Sequence, residues 1–179
     1  MIRVAINGAA GRMGMRLVAL ASADEQMEVV AALEAEGHPR IGQDAGELAG
    51  VGSLGVLVAA DWKGADVLID FSAPDATLAR LEEAERTGTA AVIGTTGLGD
   101  EEKARVNKAA ERIPVLFAPN MSVGMNLLFN LVGEVARALG DEYDIEIVEA
   151  HHRFKKDAPS GTALGLAERI TDATGRSMT

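Results

Sequence analysis

The sequence predicts an α/β fold, in which a Rossmann-like, doubly wound parallel sheet is followed by an incomplete α+β domain. Short apolar runs suited to buried strands alternate with helix-prone segments in the first part of the chain, the order typical of a parallel sheet covered by helices. The first of these runs leads through a glycine loop into a helix, as nucleotide-binding βαβ units do. We place the boundary between the two domains after residue 122.

The glycine loop at the start of the chain predicts nucleotide binding. Residues 2–6 form an apolar strand, and the glycines after it have a GxxGxxG spacing, a variant of the dinucleotide fingerprint: Gly8, Gly11 and Gly14. Without side chains, these residues let the backbone turn sharply and approach a pyrophosphate. The next strand, residues 29–33, is followed by Glu34, where the fingerprint places an acid for the ribose hydroxyls. The alternative is a tight turn followed by a solvent-facing glutamate.

The middle of the chain continues the alternation of strands and helices. Residues 36–55 are rich in glycine and acids and predict a long surface loop with one helical turn. Pro74 suits the first turn of a helix that stops at Gly88, and Asp100 suits the cap of a helix that reaches about residue 112. The remaining predicted strands are residues 56–60, 66–71, 90–93 and 114–118. The small polar loop after the third of these strands lies where open α/β sheets bind their ligands.

The second domain is predicted to contain two helices and one strand. Ser122 caps a long apolar helix that ends at Gly140, and Ser160 caps a helix that reaches about residue 174. Residues 143–150 alternate apolar and acidic side chains, the pattern of a strand with one wet face. A lone strand leaves its backbone groups unpaired, so another subunit, the first domain or sequence absent from this chain must supply partners.

The run from residue 149 to residue 162 concentrates proton-transfer and anion-binding groups. It contains the adjacent pair His151 and His152, three cations and a predicted helix start, although the formal net charge of the chain is -10. Together these groups indicate a site for a small carboxylate or phosphate compound with a proton donor at hand. A solvated strand end is the plain alternative. We predict no metal, because adjacent histidines on extended backbone point apart and make a poor ligand set.

The composition of the chain argues against several classes of protein. A net charge of -10 disfavours nucleic-acid binding, which depends on neutralising phosphates. No apolar run is long enough to span a membrane, and the first residues lack the features of a signal peptide. The absence of cysteine excludes a disulfide framework and a thiolate metal site. We therefore expect a soluble cytoplasmic protein.

Five motifs of the chain form a distinctive set: GAAGRMG from Gly8, IDFSAPDAT from Ile69, VIGTTG from Val92, APNMSVGMN from Ala118 and EAHHRFKKDAPSGTA from Glu149. Together they resemble the dihydrodipicolinate reductase family, also called 4-hydroxy-tetrahydrodipicolinate reductases, of the diaminopimelate route to lysine. The last motif is highly specific to that family, and the resemblance spans nearly the whole chain. It implies NAD(P)H-dependent reduction of 4-hydroxy-tetrahydrodipicolinate to tetrahydrodipicolinate, with hydride transfer to the ring and protonation by a positioned acid.

Carried over position by position, the resemblance assigns the site residues. His151 would be the proton donor and Lys155 the catalytic lysine, and either could deliver the proton. The dicarboxylate substrate would be held by His152, Ser160, Gly161 and Thr162. The cofactor would be bound by Gly8, Ala9, Ala10, Gly11, Arg12 and Met13 at the pyrophosphate, by Glu34 at the ribose, and by Gly94, Thr95, Thr96, Ala118, Pro119, Asn120 and Met121 at the nicotinamide. Residues 1–122 would then be the dinucleotide-binding domain, and residues 123–179 a partial substrate-binding and catalytic domain.

Two departures from the family pattern matter. Members that use NADPH well often carry an arginine after the ribose acid, but here that position is Ala35, and a second position that is often basic is Ala73. We therefore predict a preference for NADH over NADPH, unless Arg12 or Arg40 compensates. The chain is also shorter than family members, which usually form tetramers. We expect a homo-oligomer with an incomplete substrate domain and weak or absent turnover; the alternative is a non-catalytic nucleotide-binding fragment.

Overall fold

The computed structural model describes residues 1–151, 153 and 158–177, and it divides into two compact units, Met1–Pro119 and Asn120–Thr179. The division falls close to the predicted domain boundary, and the assignment of cofactor to one unit and substrate to the other remains a prediction. None of the helices in the described ranges combines the length and apolar character needed to cross a membrane. Within the same ranges, no group of at least three His, Asp or Glu side chains could hold a metal ion.

The first unit is built on a parallel sheet of six strands, which confirms the predicted Rossmann-like architecture. Its strands are β1 (Ile2–Asn7), β2 (Met27–Leu33), β3 (Val58–Ala59), β4 (Val67–Asp70), β5 (Ala90–Ile93) and β6 (Val115–Phe117). They lie in the order β3-β2-β1-β4-β5-β6, and every neighbouring pair is parallel. The order reverses between β1 and β4, so the expected ligand crevice lies at the carboxyl ends of these two strands.

Helices cover both faces of this sheet. They are α1 (Arg12–Ala23), α2 (Ala45–Ala49), α3 (Pro74–Thr87) and α4 (Asp100–Ala109). Successive residues of β1 point to opposite faces, so Val4 and Ile6 pack with Val18 of α1 in one cluster. Ala5 belongs to the other cluster, with Leu81 of α3 and Val106 of α4. The near-continuous apolar runs of the sequence follow from this burial on both faces.

The predicted helix ends are mostly confirmed. The helix α3 begins at Pro74 and is closed by Gly88, which has a φ of 69°, as predicted. The prediction that Asp100 caps α4 is wrong, because Gly99 is the N-cap residue. The carboxylate of Glu102 accepts a hydrogen bond from the Gly99 N–H and so fixes the start of the helix one position earlier.

The long loop between β2 and β3 contains one short helix, as predicted, and is organised by a single carboxylate. Asp44 is the N-cap of α2 and accepts hydrogen bonds from Gly46 N–H (2.8 Å) and Glu47 N–H (3.1 Å). It also accepts from Leu54 N–H (3.1 Å) and Gly55 N–H (2.7 Å), which lie at the far end of the loop. These bonds, the one from Leu54 first, lower the pKa of Asp44 to about 2.

The second unit contains two helices that pack against each other, α5 (Val123–Leu139) and α6 (Gly161–Thr174). Both predicted caps are confirmed. The Ser122 hydroxyl accepts from Met125 N–H (3.4 Å), and the Ser160 hydroxyl accepts from Ala163 N–H (3.1 Å). Close packing is possible because Gly133 of α5 faces the main chain of α6: a Cβ there would lie 3.1 Å from the carbonyl oxygen of Arg169.

The predicted strand over residues 143–150 is wrong, and the described part of the second unit is helical rather than α+β. The described residues of this unit offer no strand with which the segment could pair, and an unpaired strand is marginal. Two backbone carbonyl groups in and near this segment accept hydrogen bonds from a side chain instead. The Arg176 guanidinium donates to the carbonyl oxygens of Gly140 (2.7 Å) and Tyr143 (2.9 Å), which ties this segment to the end of α6.

Candidate functional site

The glycine loop between β1 and α1 is held against the carboxyl end of β2. The N–H groups of Gly8 and Ala9 both donate to the carbonyl oxygen of Leu33, at 2.9 and 3.1 Å. Gly8 has a φ of 70°, which a residue with a side chain rarely adopts. Gly14 approaches the loop so closely that a Cβ there would lie 2.0 Å from the Gly8 carbonyl oxygen. The glycine loop is therefore present as predicted, and its conformation depends on glycine at these two positions; its binding of a pyrophosphate stays a prediction.

The first turn of α1 offers its backbone donors at the same place. Gly11 is the N-cap residue and provides no side-chain cap, and the first turn contains no acidic residue. Arg12 and Met13, the first two residues of the helix, are both exposed. An uncapped helix start of this kind binds anions such as the pyrophosphate of a dinucleotide.

Glu34, the predicted ribose acid, lies beside this loop. Its carboxylate oxygen Oε1 accepts a hydrogen bond from Ala10 N–H at 2.9 Å, and its own N–H donates to the Ala59 carbonyl oxygen at 3.0 Å. The next residue, Ala35, is exposed and carries no charge. Arg40, suggested above as a substitute for the missing arginine, donates to the Gln43 side chain at 3.0 Å within the long loop.

Sequence reasoning missed a second charged residue at this strand end. Arg80 of α3 donates from Nη2 to the carbonyl oxygen of Glu34 (3.1 Å) and from Nη1 to the carboxylate of Glu83 (2.8 Å). Only 11% of its side chain is exposed, so the guanidinium lies inside the protein at the end of β2. The only signal in the sequence is the i,i+3 spacing of an arginine and a glutamate, which is common on solvent-facing helices.

The loop after β5, predicted to line the nicotinamide, is tied to the end of β4. Gly94 is buried and its N–H donates to the Asp70 carbonyl oxygen at 2.8 Å. Thr95 is also buried, and its hydroxyl donates to Asp70 Oδ1 (3.2 Å) and accepts from Thr77 Oγ1 (2.9 Å). The Thr95 hydroxyl is thus hydrogen-bonded to buried side chains, while Thr96 is exposed at the surface of the unit.

A buried polar network connects the glycine loop after β1 with the loop after β5. Sequence reasoning did not predict this network. Asp70 Oδ1 accepts from the Ser72 hydroxyl (2.6 Å) and from Ser72 N–H (3.0 Å), and the Ser72 hydroxyl accepts from Asn7 Nδ2 (3.0 Å). Asp70 Oδ2 is buried and has no hydrogen-bond partner in the described part of the chain. The network joins the ends of β1 and β4, which is where the strand order reverses.

Two further predicted cofactor residues, Ala118 and Pro119, follow β6. Ala118 N–H donates to the Ile93 carbonyl oxygen at 3.1 Å, which places it beside the loop after β5. The last two, Asn120 and Met121, belong to the second unit. Asn120 Oδ1 accepts from Ser122 N–H at 2.9 Å, and its Nδ2 lies 3.3 Å from the hydroxyl of Thr162.

In the second unit, one carboxylate connects the predicted proton donor to the start of α6. Glu149 Oε2 lies 3.4 Å from His151 Nδ1, and its Oε1 accepts from Ser160 N–H at 2.8 Å. Ser160 is buried, so its hydroxyl caps the helix rather than facing a ligand. Gly161 and Thr162 form the first turn of α6, where N–H groups can bind a carboxylate. Sequence reasoning did not assign a role to Glu149 either.

The predicted residues His152 and Lys155 lie outside the described residues. His151 is described, and two-fifths of its side chain is exposed. The structure therefore brings together the predicted cofactor residues of the first unit and, in the second, His151 with the start of α6.

Comparison with known proteins gives matches over both units. The protein-family model for the N-terminus of dihydrodipicolinate reductase matches residues 2–121. The family model for the C-terminus of dihydrodipicolinate reductase matches residues 124–178. The 4-hydroxy-tetrahydrodipicolinate reductase of Magnetococcus marinus is 56% identical over 99% of this chain, and that of Alkalilimnicola ehrlichii is 53% identical over 98%. The chain spans 68% and 67% of the length of these two relatives.

Solved structures give a consistent result. Dipicolinate-bound dihydrodipicolinate reductase from Paenisporosarcina sp. TG-14 matches with a TM-score of 0.74 and 29% identity, over 100% of this chain and 69% of that one. The WlbA dehydrogenase from Thermus thermophilus, solved in complex with NAD and alpha-ketoglutarate, matches with a TM-score of 0.52 and 18% identity over 75% of this chain and 47% of that one. The second match is a likeness of fold alone.

Proposed function

Because this chain belongs to the dihydrodipicolinate reductase family, we propose that it reduces 4-hydroxy-tetrahydrodipicolinate to tetrahydrodipicolinate with a nicotinamide cofactor, in the diaminopimelate route to lysine. The observation that carries the proposal is the contact of Glu34 with the glycine loop. Its carboxylate accepts from Ala10 N–H at 2.9 Å, which supports a role for Glu34 as the acid that binds the ribose hydroxyls beside a loop suited to the pyrophosphate.

The residues of the first unit fit a dinucleotide. The uncapped start of α1 offers N–H groups to a pyrophosphate, and the backbone can approach it because Gly8 and Gly14 have no side chains. Glu34 would accept hydrogen bonds from the ribose, while the loops that begin at Gly94 and Ala118 would line the nicotinamide. When bound, the reduced nicotinamide supplies the hydride.

The second unit would hold the substrate and deliver a proton. Glu149 Oε2 lies 3.4 Å from His151 Nδ1, which supports a role for Glu149 in orienting the imidazole. The ring would then protonate the reduced substrate. Lys155 is the alternative acid. The substrate is a dicarboxylate, and the first turn of α6, with Gly161 and Thr162, would bind one of its carboxylates together with His152. A relative of this chain has been solved with dipicolinate, a compound of the same dicarboxylate class.

For the cofactor, we propose that NADH is preferred over NADPH. Glu34 is an anion that would repel a 2′-phosphate, and the following residue, Ala35, offers no cation to offset it. Titration of the purified chain with each cofactor tests this preference, and equal dissociation constants would refute it.

We further propose that the chain forms a homo-oligomer and acts in the cytoplasm. In support of the first proposal, apolar side chains along α5 are exposed, among them Val123, Leu127 and Val135. Contiguous exposed apolar surface commonly marks an interaction site. Sedimentation analysis of the purified chain would detect the oligomer, and cell fractionation would test the location.

The decisive experiment combines calorimetry with a turnover assay. NADH is titrated into the chain with and without pyridine-2,6-dicarboxylate, a planar mimic of the substrate, and oxidation of NADH is then followed with the true substrate. We expect the dicarboxylate to tighten NADH binding, and binding of NADH to tighten that of the dicarboxylate by the same factor. Turnover should fall by about 100-fold or more in His151→Gln. His38→Gln is the matched control, because His38 lies in the long loop of the first unit.

The outcomes distinguish the proposal from its alternative. NADH binding that is tightened by the dicarboxylate, together with turnover that requires His151, supports a reductase. If the dissociation constant of NADH is unchanged by the dicarboxylate and no turnover is detected, the chain is instead a nucleotide-binding protein that has the family's sequence without its reaction.

A further inference from the structure

A mostly buried arginine lies at the place where the cofactor's adenosine ribose is expected. Arg80 Nη2 donates to the carbonyl oxygen of Glu34 at 3.1 Å, so the guanidinium lies at the peptide that joins Glu34 to Ala35. The Arg80 side chain is 11% exposed, which is unusual for a charged group unless it is paired. The arginine therefore fixes the main chain of the residue whose carboxylate reaches the glycine loop.

The partner of Arg80 is a carboxylate that is itself held in place. Glu83 Oε2 lies 2.8 Å from Arg80 Nη1 and also accepts a hydrogen bond from Trp62 Nε1 at 2.7 Å. Trp62 packs against the apolar cluster on that face of the sheet. Glu83 thus offsets the positive charge of Arg80 and limits the directions in which the guanidinium can turn.

Two kinds of group decide between NAD and NADP in folds of this class. An acid after the second strand accepts hydrogen bonds from the ribose hydroxyls of NAD, whereas a nearby arginine accommodates the 2′-phosphate of NADP. This chain places both at the same strand end, but its arginine is already paired with Glu83. The pair therefore decides how much positive charge a 2′-phosphate would meet there.

We propose that the Arg80–Glu83 pair determines the cofactor preference. Arg80 is a positioning residue that holds Glu34 for the ribose of NADH, and Glu83 prevents the guanidinium from binding a 2′-phosphate. This inference rests on the proposed use of a nicotinamide cofactor and deepens it, because it assigns the preference to residues on α3 as well as to the missing arginine at position 35.

The test compares the dissociation constants of NADH and NADPH for the whole chain and three variants. Glu83→Gln removes the charge but keeps a carbonyl oxygen for Trp62, and we expect NADPH to bind about tenfold tighter with NADH changed less than about twofold. Arg80→Met removes the anchor of Glu34, and NADH should bind about tenfold more weakly. The matched control is Glu82→Gln, which breaks the 3.1 Å pair between Glu82 and Arg105 on an exposed part of the same helix and should change neither constant.

The ratio of the two dissociation constants is the decisive quantity, because a purely structural pair would not change it. If Glu83→Gln leaves the ratio at the value of the unchanged chain, the proposal is wrong. The proposal is also wrong if both dissociation constants rise by one common factor while the melting temperature falls, since the pair would then only stabilise the fold. A chain that binds neither cofactor before any substitution contradicts the proposed function itself, which is a different result from an unchanged ratio.

Discussion

Gly14 packs so closely against the glycine loop that a single methyl group there should disable cofactor binding without unfolding the chain. A Cβ at Gly14 would lie 2.0 Å from the Gly8 carbonyl oxygen and 2.6 Å from the Ala9 Cα, so loop and helix must separate by about 1 Å or more. A displacement of that size breaks hydrogen bonds from the loop to the pyrophosphate, and a hydrogen bond to a charged group contributes about 1.5–3 kcal/mol. We therefore expect Gly14→Ala to bind NADH about 100-fold more weakly.

The same change should affect stability much less. Overpacking costs about 1–3 kcal/mol, and replacement of a helical glycine by alanine returns about 0.5–1 kcal/mol. The remaining cost of about 2.5 kcal/mol or less is below the stability of typical domains, which is about 5–15 kcal/mol. Gly14→Ala should therefore stay folded while its binding loop is displaced.

Two other glycines provide a graded series for this experiment. A Cβ at Gly11 would lie 3.1 Å from the Gly8 carbonyl oxygen, so Gly11→Ala should weaken NADH binding by less than Gly14→Ala does. Gly124 of α5 has its nearest neighbour, the Ser122 hydroxyl, at 3.9 Å, and Gly124→Ala should bind NADH normally. Urea unfolding and NADH calorimetry measure both effects. If Gly14→Ala binds NADH as tightly as Gly124→Ala does, the loop does not hold the pyrophosphate in the geometry described above.

Two further predictions concern carboxylates that organise their surroundings. The pKa of Asp44 falls from 3.8 to about 2 in the folded chain, so its contribution to stability is full above about pH 4 and is lost as the pH falls towards 2. Asp44→Asn should therefore lower the melting temperature at neutral pH and match the unchanged chain near pH 2; a difference that stays constant with pH would contradict this. Glu149→Gln keeps an acceptor for Ser160 N–H but removes the anionic partner of His151, and it should lower kcat about tenfold with the KM for NADH unchanged. Steady-state kinetics would check this, and a kcat equal to that of the unchanged chain would show that Glu149 does not orient the imidazole.

The elements that sequence reasoning placed correctly are those whose ends are fixed locally. Ser122, Pro74 and Gly88 each act through the few residues around them, so their effect can be read from short patterns. The strand predicted over residues 143–150 failed for the opposite reason. Alternation of apolar and acidic side chains shows that a segment could form one strand of a sheet. A strand also needs a second strand as its hydrogen-bonding partner, and the described part of that unit provides none.

The candidate site divides in the same way. The glycine loop and Glu34 follow a spacing that one βαβ unit imposes, so the sequence contains both. Arg80 is separated by 46 positions from the carbonyl oxygen it contacts, and Glu149 acts at a helix start 11 positions away. Contacts of this kind depend on how helices and strands pack in three dimensions, so no local sequence pattern predicts them.

The network around Asp70 explains why the loops after β1, β4 and β5, which are predicted to bind the cofactor, have defined positions despite their small side chains. Strands of a parallel sheet end with unpaired backbone groups, and loops of glycine, alanine and threonine have little apolar surface with which to pack. Here Ser72 N–H donates to the hydroxyl of Thr95 (3.0 Å), and both side chains donate to one oxygen of Asp70, so the loop after β5 is fixed to the loop after β4. Asn7 adds the start of the glycine loop to the same network. Because buried polar groups are costly unless they are bonded, these residues favour one arrangement of the three loops over all others.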